Sequence, residues 1–311
     1  MMAAIQEDDE TFVYIGGNQR VPDGFRRARI HEDIKIVRAN TFRDRQQLIY
    51  VEFHDGIKII EAVAFRGCVS LRGPIKLLGV RIIKQWAFQW CYDLTDVEFG
   101  DKLETIDLGA FRGCETLKKI RMPSVRIVGM DAFSECKELS DVEFGEGLRT
   151  LQARAFTNCR NLKRVALPLK GNMIETGVFN FCSNLTTVDL VGGIHDTVAS
   201  LHLESWRNEM NDEINRINQV LPTILNKTFA IRRWMETVIR RLNRRKTEHE
   251  VLIKEAATLL ELALWKAMLC DSDEGEVIAK GAQRHRARKE MRVTSGADVV
   301  IKNVLPFLAF K

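Results

Sequence analysis

The 311-residue chain lacks the sequence signals of most catalytic classes. It has no GxxxxGK[ST] phosphate loop, no GxGxxG dinucleotide loop and no GxSxG nucleophile elbow. Its 7 cysteines never fall in a CxxC pair, which removes the commonest zinc and redox spacings. Of the 6 histidines, His31, His54, His195, His202, His249 and His285, the pair His195 and His202 could share a helix face, but no acidic or thiol partner is placed to complete a metal site. His31 and His54 lie 23 residues apart, so a repeat accounts for them without a ligand. No apolar run is long enough to span a bilayer; the densest, Leu259 to Leu264, contains Glu261. The first ten residues are acidic and carry no apolar leader core, so an intracellular chain is expected, cytoplasmic or alternatively nuclear. The net charge of +5 is too small to imply a nucleic-acid protein by itself. These absences predict a non-enzyme with no catalytic residue, metal or cofactor, and no membrane partner.

What the sequence does have is a period. Phe42, Phe65, Phe88, Phe111, Phe133, Phe156 and Phe179 follow one another at steps of 22 or 23 residues. From the second copy on, each Phe is followed three residues later by Cys and six residues later by Leu. The columns are Phe65-Cys68-Leu71, Phe88-Cys91-Leu94, Phe111-Cys114-Leu117, Phe133-Cys136-Leu139, Phe156-Cys159-Leu162 and Phe179-Cys182-Leu185. The first copy is degenerate and puts Arg45 at the Cys position, as expected of a terminal repeat with a neighbour on one side only. A fixed period in the twenties marks a solenoid.

Two local patterns fill each period. Ala, Phe, Cys and Leu at offsets −1, 0, +3 and +6 fit one face of a short helix or turn. Just after the Leu comes a short apolar-polar-apolar run, such as Val97-Glu98-Phe99 or Val142-Glu143-Phe144, the period-2 signature of a half-buried strand. The strands are expected to stack as a parallel sheet, with Phe, Cys and Leu as a continuous internal ladder. The repeat cysteines read as small buried thiols filling one core column, since buried free Cys behaves as a small hydrophobe. Pro74 falls where other copies have the first apolar strand residue, which predicts an irregular rung there.

With its AFxxCxxL core and short strand, this pattern resembles the BspA-type leucine-rich repeat over about residues 25–192. The resemblance implies an α/β solenoid of parallel short strands and short helical turns. Residues 1–24 would be an N-terminal segment, 25–194 the solenoid and 195–311 an all-α extension. In the extension, Leu203, Trp206, Met210, Ile214, Ile217 and Leu221 predict an amphipathic helix that Pro222 ends or kinks. Ile231, Trp234, Val238 and Leu242 open a second helix, from about Lys227 to Cys270. Its stretch Leu259–Trp265 is apolar on nearly every side and is expected to be buried between helices. A last short helix is expected over Ala297–Leu305. The stretches Ser200–Arg207, Leu259–Lys266 and Gly296–Phe307 are similar to helical extensions of diatom leucine-rich repeat proteins, which implies no biochemical activity.

The surface expected to meet a partner is the outward side of the strands. The candidate residues are Tyr50, Glu52, Ile75, Asp96, Glu98, Lys119, Arg121, Asp141, Glu143, Arg164 and Asp189, with Gly73, Ala166 and Thr187 completing the rungs. Their charges alternate from rung to rung, so they can neutralise one another across the sheet or present a mixed-charge face to a protein. A protein-interaction scaffold is therefore the leading expectation. One alternative is nucleic-acid or phosphate binding by the basic tail, through Arg240, Arg241, Arg244, Arg245 and Lys246 or Arg284–Lys289. The other is self-association through the C-terminal helices, suggested by Trp206, Trp234 and Trp265. The helical arginines, spaced i, i+1, i+4, i+5 with Glu248 and Glu250 near, also fit an ordinary solvated helix face.

Overall fold

The computed structural model describes residues 11–192 except Asn18, and residues 204–270. The basic run Arg284–Lys289, the acidic run Asp271–Glu276, the short helix expected over Ala297–Leu305, and His195, His202 and His285 lie outside the described residues. So do the side chains of Trp206, Trp265 and Cys270.

About seven turns of roughly 23 residues coil as a parallel β-solenoid, and six of the turns carry both a front and a back strand. The front strands are β1 (Phe12–Tyr14), β2 (Arg27–Ile30), β4 (Tyr50–Glu52), β6 (Ile75–Leu77), β8 (Val97–Phe99), β10 (Lys119–Met122), β12 (Asp141–Phe144), β14 (Arg164–Pro168) and β15 (Thr187–Val191). They pair in parallel as β1-β2-β4, β6-β8 and β10-β12-β14-β15. The back strands are β3 (Ile36–Val37), β5 (Ile59–Ile60), β7 (Ile82–Ile83), β9 (Thr105–Ile106), β11 (Ile127–Val128) and β13 (Thr150–Leu151). These form one unbroken parallel sheet in chain order. At two residues each, the back strands are too short to leave an alternation in the sequence.

The expected irregular rung is at Pro74, and its cause is a register slip. Ile75 pairs with Val97 and Lys76 with Glu98, so one extra residue separates Leu71 from its strand. A one-residue slip exchanges the two faces of a strand. Ile75, expected to point outward, is therefore core at 1% exposure, and Lys76 takes the outward place. The front ladder is interrupted between β4 and β6, beside a proline that has no amide to donate.

The Ala-Phe-x-x-Cys-x-x-Leu segments are successive turns rather than α-helix. Residues two before each ladder Phe have left-handed backbones: Asn40, Val63, Trp86, Gly109, Asp131, Arg154 and Gly177. So do those two after it: Asp44, Gly67, Trp90, Gly113, Glu135, Asn158 and Phe181. A branched residue at positive φ, as at Val63 (φ 63°), is unfavourable in isolation. Here the conformation turns every second amide along the coil, onto a carbonyl of the next turn: Val63 to Gln85 (3.0 Å), Phe65 to Ala87 (2.7 Å) and Gly67 to Gln89 (2.8 Å). The same three bonds recur turn after turn and hold the backbone in place. Gly109 and Gly113 serve a second purpose. A Cβ on either would meet the indole of Trp86 (2.6 Å) or Trp90 (2.9 Å) from the preceding turn.

Inside, the seven ladder phenylalanines are fully buried and stack nearly parallel, with centroids 4.9–5.2 Å apart from Phe42 to Phe156. The last step, Phe156 to Phe179, opens to 6.0 Å. Ring pairs at these separations add to the burial of the rings themselves.

Beyond the solenoid, helix α1 (Glu204–Val220) leads through a 3-10 turn, Leu221–Thr223, to helix α2 (Lys227–Cys270). Both helices and the Pro222 break fall where the apolar spacing placed them. The Asn226 side chain caps α2, accepting the Phe229 amide at 3.0 Å. The described residues up to Asn243 form one compact unit and those from Arg244 on a second. In the first, the core continues without a break from the ladder into Met210, Ile217, Leu221, Ile231, Trp234, Met235 and Val238. In the second, the expectation of burial around Leu259–Leu264 fails: Leu259 is 68% exposed and Leu262 61%.

Candidate protein-binding face

The repeat cysteines form a column of thiols inside the solenoid. All six are free and buried. Each Sγ donates to the carbonyl of the ladder Phe one turn earlier: Cys68 to Phe42 (3.0 Å), Cys91 to Phe65 (3.3 Å), Cys114 to Phe88 (3.2 Å), Cys136 to Phe111 (3.3 Å), Cys159 to Phe133 (3.1 Å) and Cys182 to Phe156 (3.1 Å). The same carbonyl already accepts the amide three residues on, as Phe65 accepts from Cys68 (3.2 Å). The thiol thus fills its second acceptor position. Burial pushes Cys68 up to about 12 and drives Cys91, Cys114, Cys136 and Cys159 upward as well. A protonated thiol can donate and is a poor nucleophile. The thiols fill one buried column, and each also satisfies a backbone carbonyl, which the spacing does not reveal.

At its two ends the ladder meets different groups. At the first turn, Arg45 stands in the Cys column, donates to the Val21 carbonyl (2.8 Å) and pairs with Asp23 (3.1 Å). Tyr14 and Phe25 pack edge-on against Phe42, with centroids at 5.5 and 6.4 Å. At the last turn, the Phe179 amide donates to Thr228 Oγ1 (2.8 Å) in place of a further turn's carbonyl. Asn218 both accepts from the Val188 amide (2.8 Å) and donates to its carbonyl (3.2 Å). Behind these contacts, the buried Glu213 carboxylate pairs with Arg216 (2.6 Å) and Arg241. The Lys227 ammonium donates to the carbonyls of Leu221 (2.7 Å) and Pro222 (3.2 Å), and burial pushes its pKa down.

The front sheet brings most of the expected surface residues together. Tyr50, Glu52, Asp96, Glu98, Lys119 and Arg121 are exposed, and Asp141, Glu143, Arg164 and Asp189 are half-buried. Ile75 is not among them, and Ala166 is buried as well. The charges tie across neighbouring rungs: Arg29–Glu52 (2.5 Å), Lys76–Glu98 (3.6 Å), Arg121–Glu143 (2.7 Å), and Arg164 with both Asp141 (3.1 Å) and Asp189 (2.5 Å). Asp96 and Lys119 make no ion pair among the described residues. Both line a groove of about 690 Å³ with Glu98, Arg121, Glu143 and Glu146.

The helical arginines are partly neutralised. Arg244 and Arg245 pair with Glu248 (3.0 and 3.6 Å), and Lys246 with Glu250 (3.9 Å). His54 accepts the Gly56 amide at Nδ1 (3.1 Å) and meets the His31 carbonyl through Nε2 (3.0 Å), so its ring is used in the turn itself. No group of three or more His, Cys, Asp or Glu side chains suited to a metal occurs among the described residues. Among them, no helix is long and apolar enough to cross a membrane.

The model of the BspA type leucine rich repeat region matches residues 24–126 and 118–230 in 6 copies. The chain belongs to this family. Solved leucine-rich repeat structures are similar to it in part. One is the leucine rich repeat protein of T. pallidum, 25% identical over 54% of this chain and 74% of that one, with a TM-score of 0.40. Another is a leucine rich cell surface protein from Faecalibacterium prausnitzii A2-165, 26% identical over 60% of this chain and 52% of that one, TM-score 0.43. The pneumococcal vaccine antigen PcpA is 18% identical over 59% and 67%, TM-score 0.34. No curated protein matches the chain. For this BspA-type repeat, the scaffold fold is consistent with a role in protein interaction.

Proposed function

We propose that this protein is a non-enzymatic interaction scaffold whose front sheet receives a protein partner. The observation that carries the reading is the groove over β8, β10 and β12, where Asp96 and Lys119 stand with no ion pair among the described residues, on a sheet whose other charges are largely tied. Unpaired charges of both signs on a rigid surface favour a partner of complementary pattern and set register more than affinity. A stack of hydrogen-bonded turns holds such a pattern without an ordering cost on binding. The reading assigns no catalytic step and needs no cofactor.

The test is affinity capture from nuclease-treated native lysate, with wild type beside a Asp96→Lys, Lys119→Glu double variant. Both sites are exposed, so the double variant should melt within about 1 kcal/mol of wild type. Proteins held by wild type and lost by the variant would support the front groove. Identical capture by both would sink it.

A further inference from the structure

The back sheet has a different character from the front, and its arrangement goes beyond the front-face reading. In-register pairing lines up Ile36, Ile59, Ile82, Thr105, Ile127 and Thr150 as one outward column. Ile36 and Ile127 are exposed, and Ile59 and Ile82 half-exposed. Strand propensity alone does not demand isoleucine there, because Thr105 and Thr150 occupy the same column and suit a strand as well. The residue just before each strand forms a second column, cationic at every turn but one. Within it Arg81 is tied to Glu104 (2.5 Å). Lys35, Lys58, Arg126 and Arg149 make no ion pair among the described residues. A groove of about 720 Å³ runs beside the two columns, with Lys58, Arg81, Lys102 and Arg126 against Asp101 and Glu104.

We propose that the back sheet is a docking surface for an acidic, amphipathic polypeptide segment. Its carboxylates would meet the cation column and its aliphatic side chains the isoleucine column. Charge complementarity fixes the sign of the partner, because the free charge here is positive while that of the front sheet is largely cancelled. The aliphatic column fixes its class. A single-stranded nucleic acid would call for aromatic side chains between the cations, on which bases stack, and this sheet presents isoleucine and threonine there. Six turns at about 4.8 Å give a stripe about 24 Å long, which about seven extended residues would cover.

The experiment uses full-length protein on an array of 12-residue peptides that vary independently in Asp/Glu content and in Val/Leu/Ile content. Retention is expected only on peptides that combine both. It should fall at least tenfold for Lys58→Glu, Arg126→Glu and, separately, for Ile59→Thr, Ile127→Thr, the second change copying residues the column already uses. The front-face Asp96→Lys, Lys119→Glu variant should bind the array as wild type does, which separates this proposal from the previous one. Thermal melts of each variant would show whether the fold is intact. Retention no better on acidic-apolar peptides than on neutral ones would overturn the proposal. So would binding that ignores the isoleucine changes and is displaced by single-stranded oligonucleotide, which would mark a surface for polyanions in general.

Discussion

At an interior turn the amide of the ladder Phe donates to an alanine carbonyl one turn on, as Phe88 does to Ala110 at 2.7 Å. At the last turn the Phe179 amide donates to the hydroxyl of Thr228 instead. The strand beside it shows the same substitution, with the amide side chain of Asn218 engaging both backbone groups of Val188. At the first turn Arg45 replaces the thiol and reaches the Val21 carbonyl. A repeating interior can use one chemistry because every turn has an identical neighbour. An end must imitate that neighbour with side chains, since a buried backbone group left unpaired costs about as much as a lost hydrogen bond.

Four measurements test this difference between the interior and the ends. The largest effect is expected from removing the imitation altogether. A chain ending near residue 194 loses Asn218, Thr228 and the buried face of α1 and should aggregate, because a solenoid end needs a cap. A chain ending at Asn243 keeps them and should stay soluble. If the shorter chain is a folded monomer in light scattering, the capping assignment is wrong.

Alkaline pH should act on the interior. Five buried thiols hold their protons above the usual value of 9.0. Below that value folded and unfolded thiols are both protonated and the stability is whole. Above it the unfolded chain releases protons that the folded chain keeps, so stability should fall by about 1.4 kcal/mol per thiol per pH unit. At Cys68 the loss continues to about pH 12. Urea midpoints measured from pH 7 to 10 would show the slope, and Cys91→Ala with Cys114→Ala should flatten it. A slope unchanged by those substitutions would refute the thiol assignment.

Next in size is a single rung. Phe111→Ala should cost about 3–5 kcal/mol, as for other large core truncations, and a near-neutral thermal shift would contradict the stacked ladder. The smallest effect belongs to one capping atom. Thr228→Val keeps the shape but leaves the Phe179 amide unpaired, for an expected loss of about 1–3 kcal/mol. A stability equal to wild type would mean that the last turn has no need of its hydroxyl partner.

Features of this fold are legible in the sequence where their signal is repeated. Seven aligned phenylalanines and six aligned cysteines fixed the ladder, and α1 and α2 were legible because their apolar spacing persists over several helical turns. The front face was legible where strands keep their register and failed at Ile75, where one extra residue beside Pro74 exchanges inside and outside. The back sheet left no trace because a two-residue strand has no period. Around Leu259 a run rich in leucine read as buried, yet its side chains are exposed along α2.

The amino-acid order by itself determined the period, the identity of the core columns and the positions of the helices, because each is a local pattern that recurs. The left-handed turns at Val63 and Trp90, the thiol bonds to the phenylalanine carbonyls, and the roles of Asn218 and Thr228 arise only in the tertiary structure. Each of those depends on a group from a neighbouring turn or a distant segment. A backbone angle unfavourable for the residue alone becomes the stable one when its amide finds a carbonyl one turn on, as Val63 finds Gln85 and Trp90 finds Arg112.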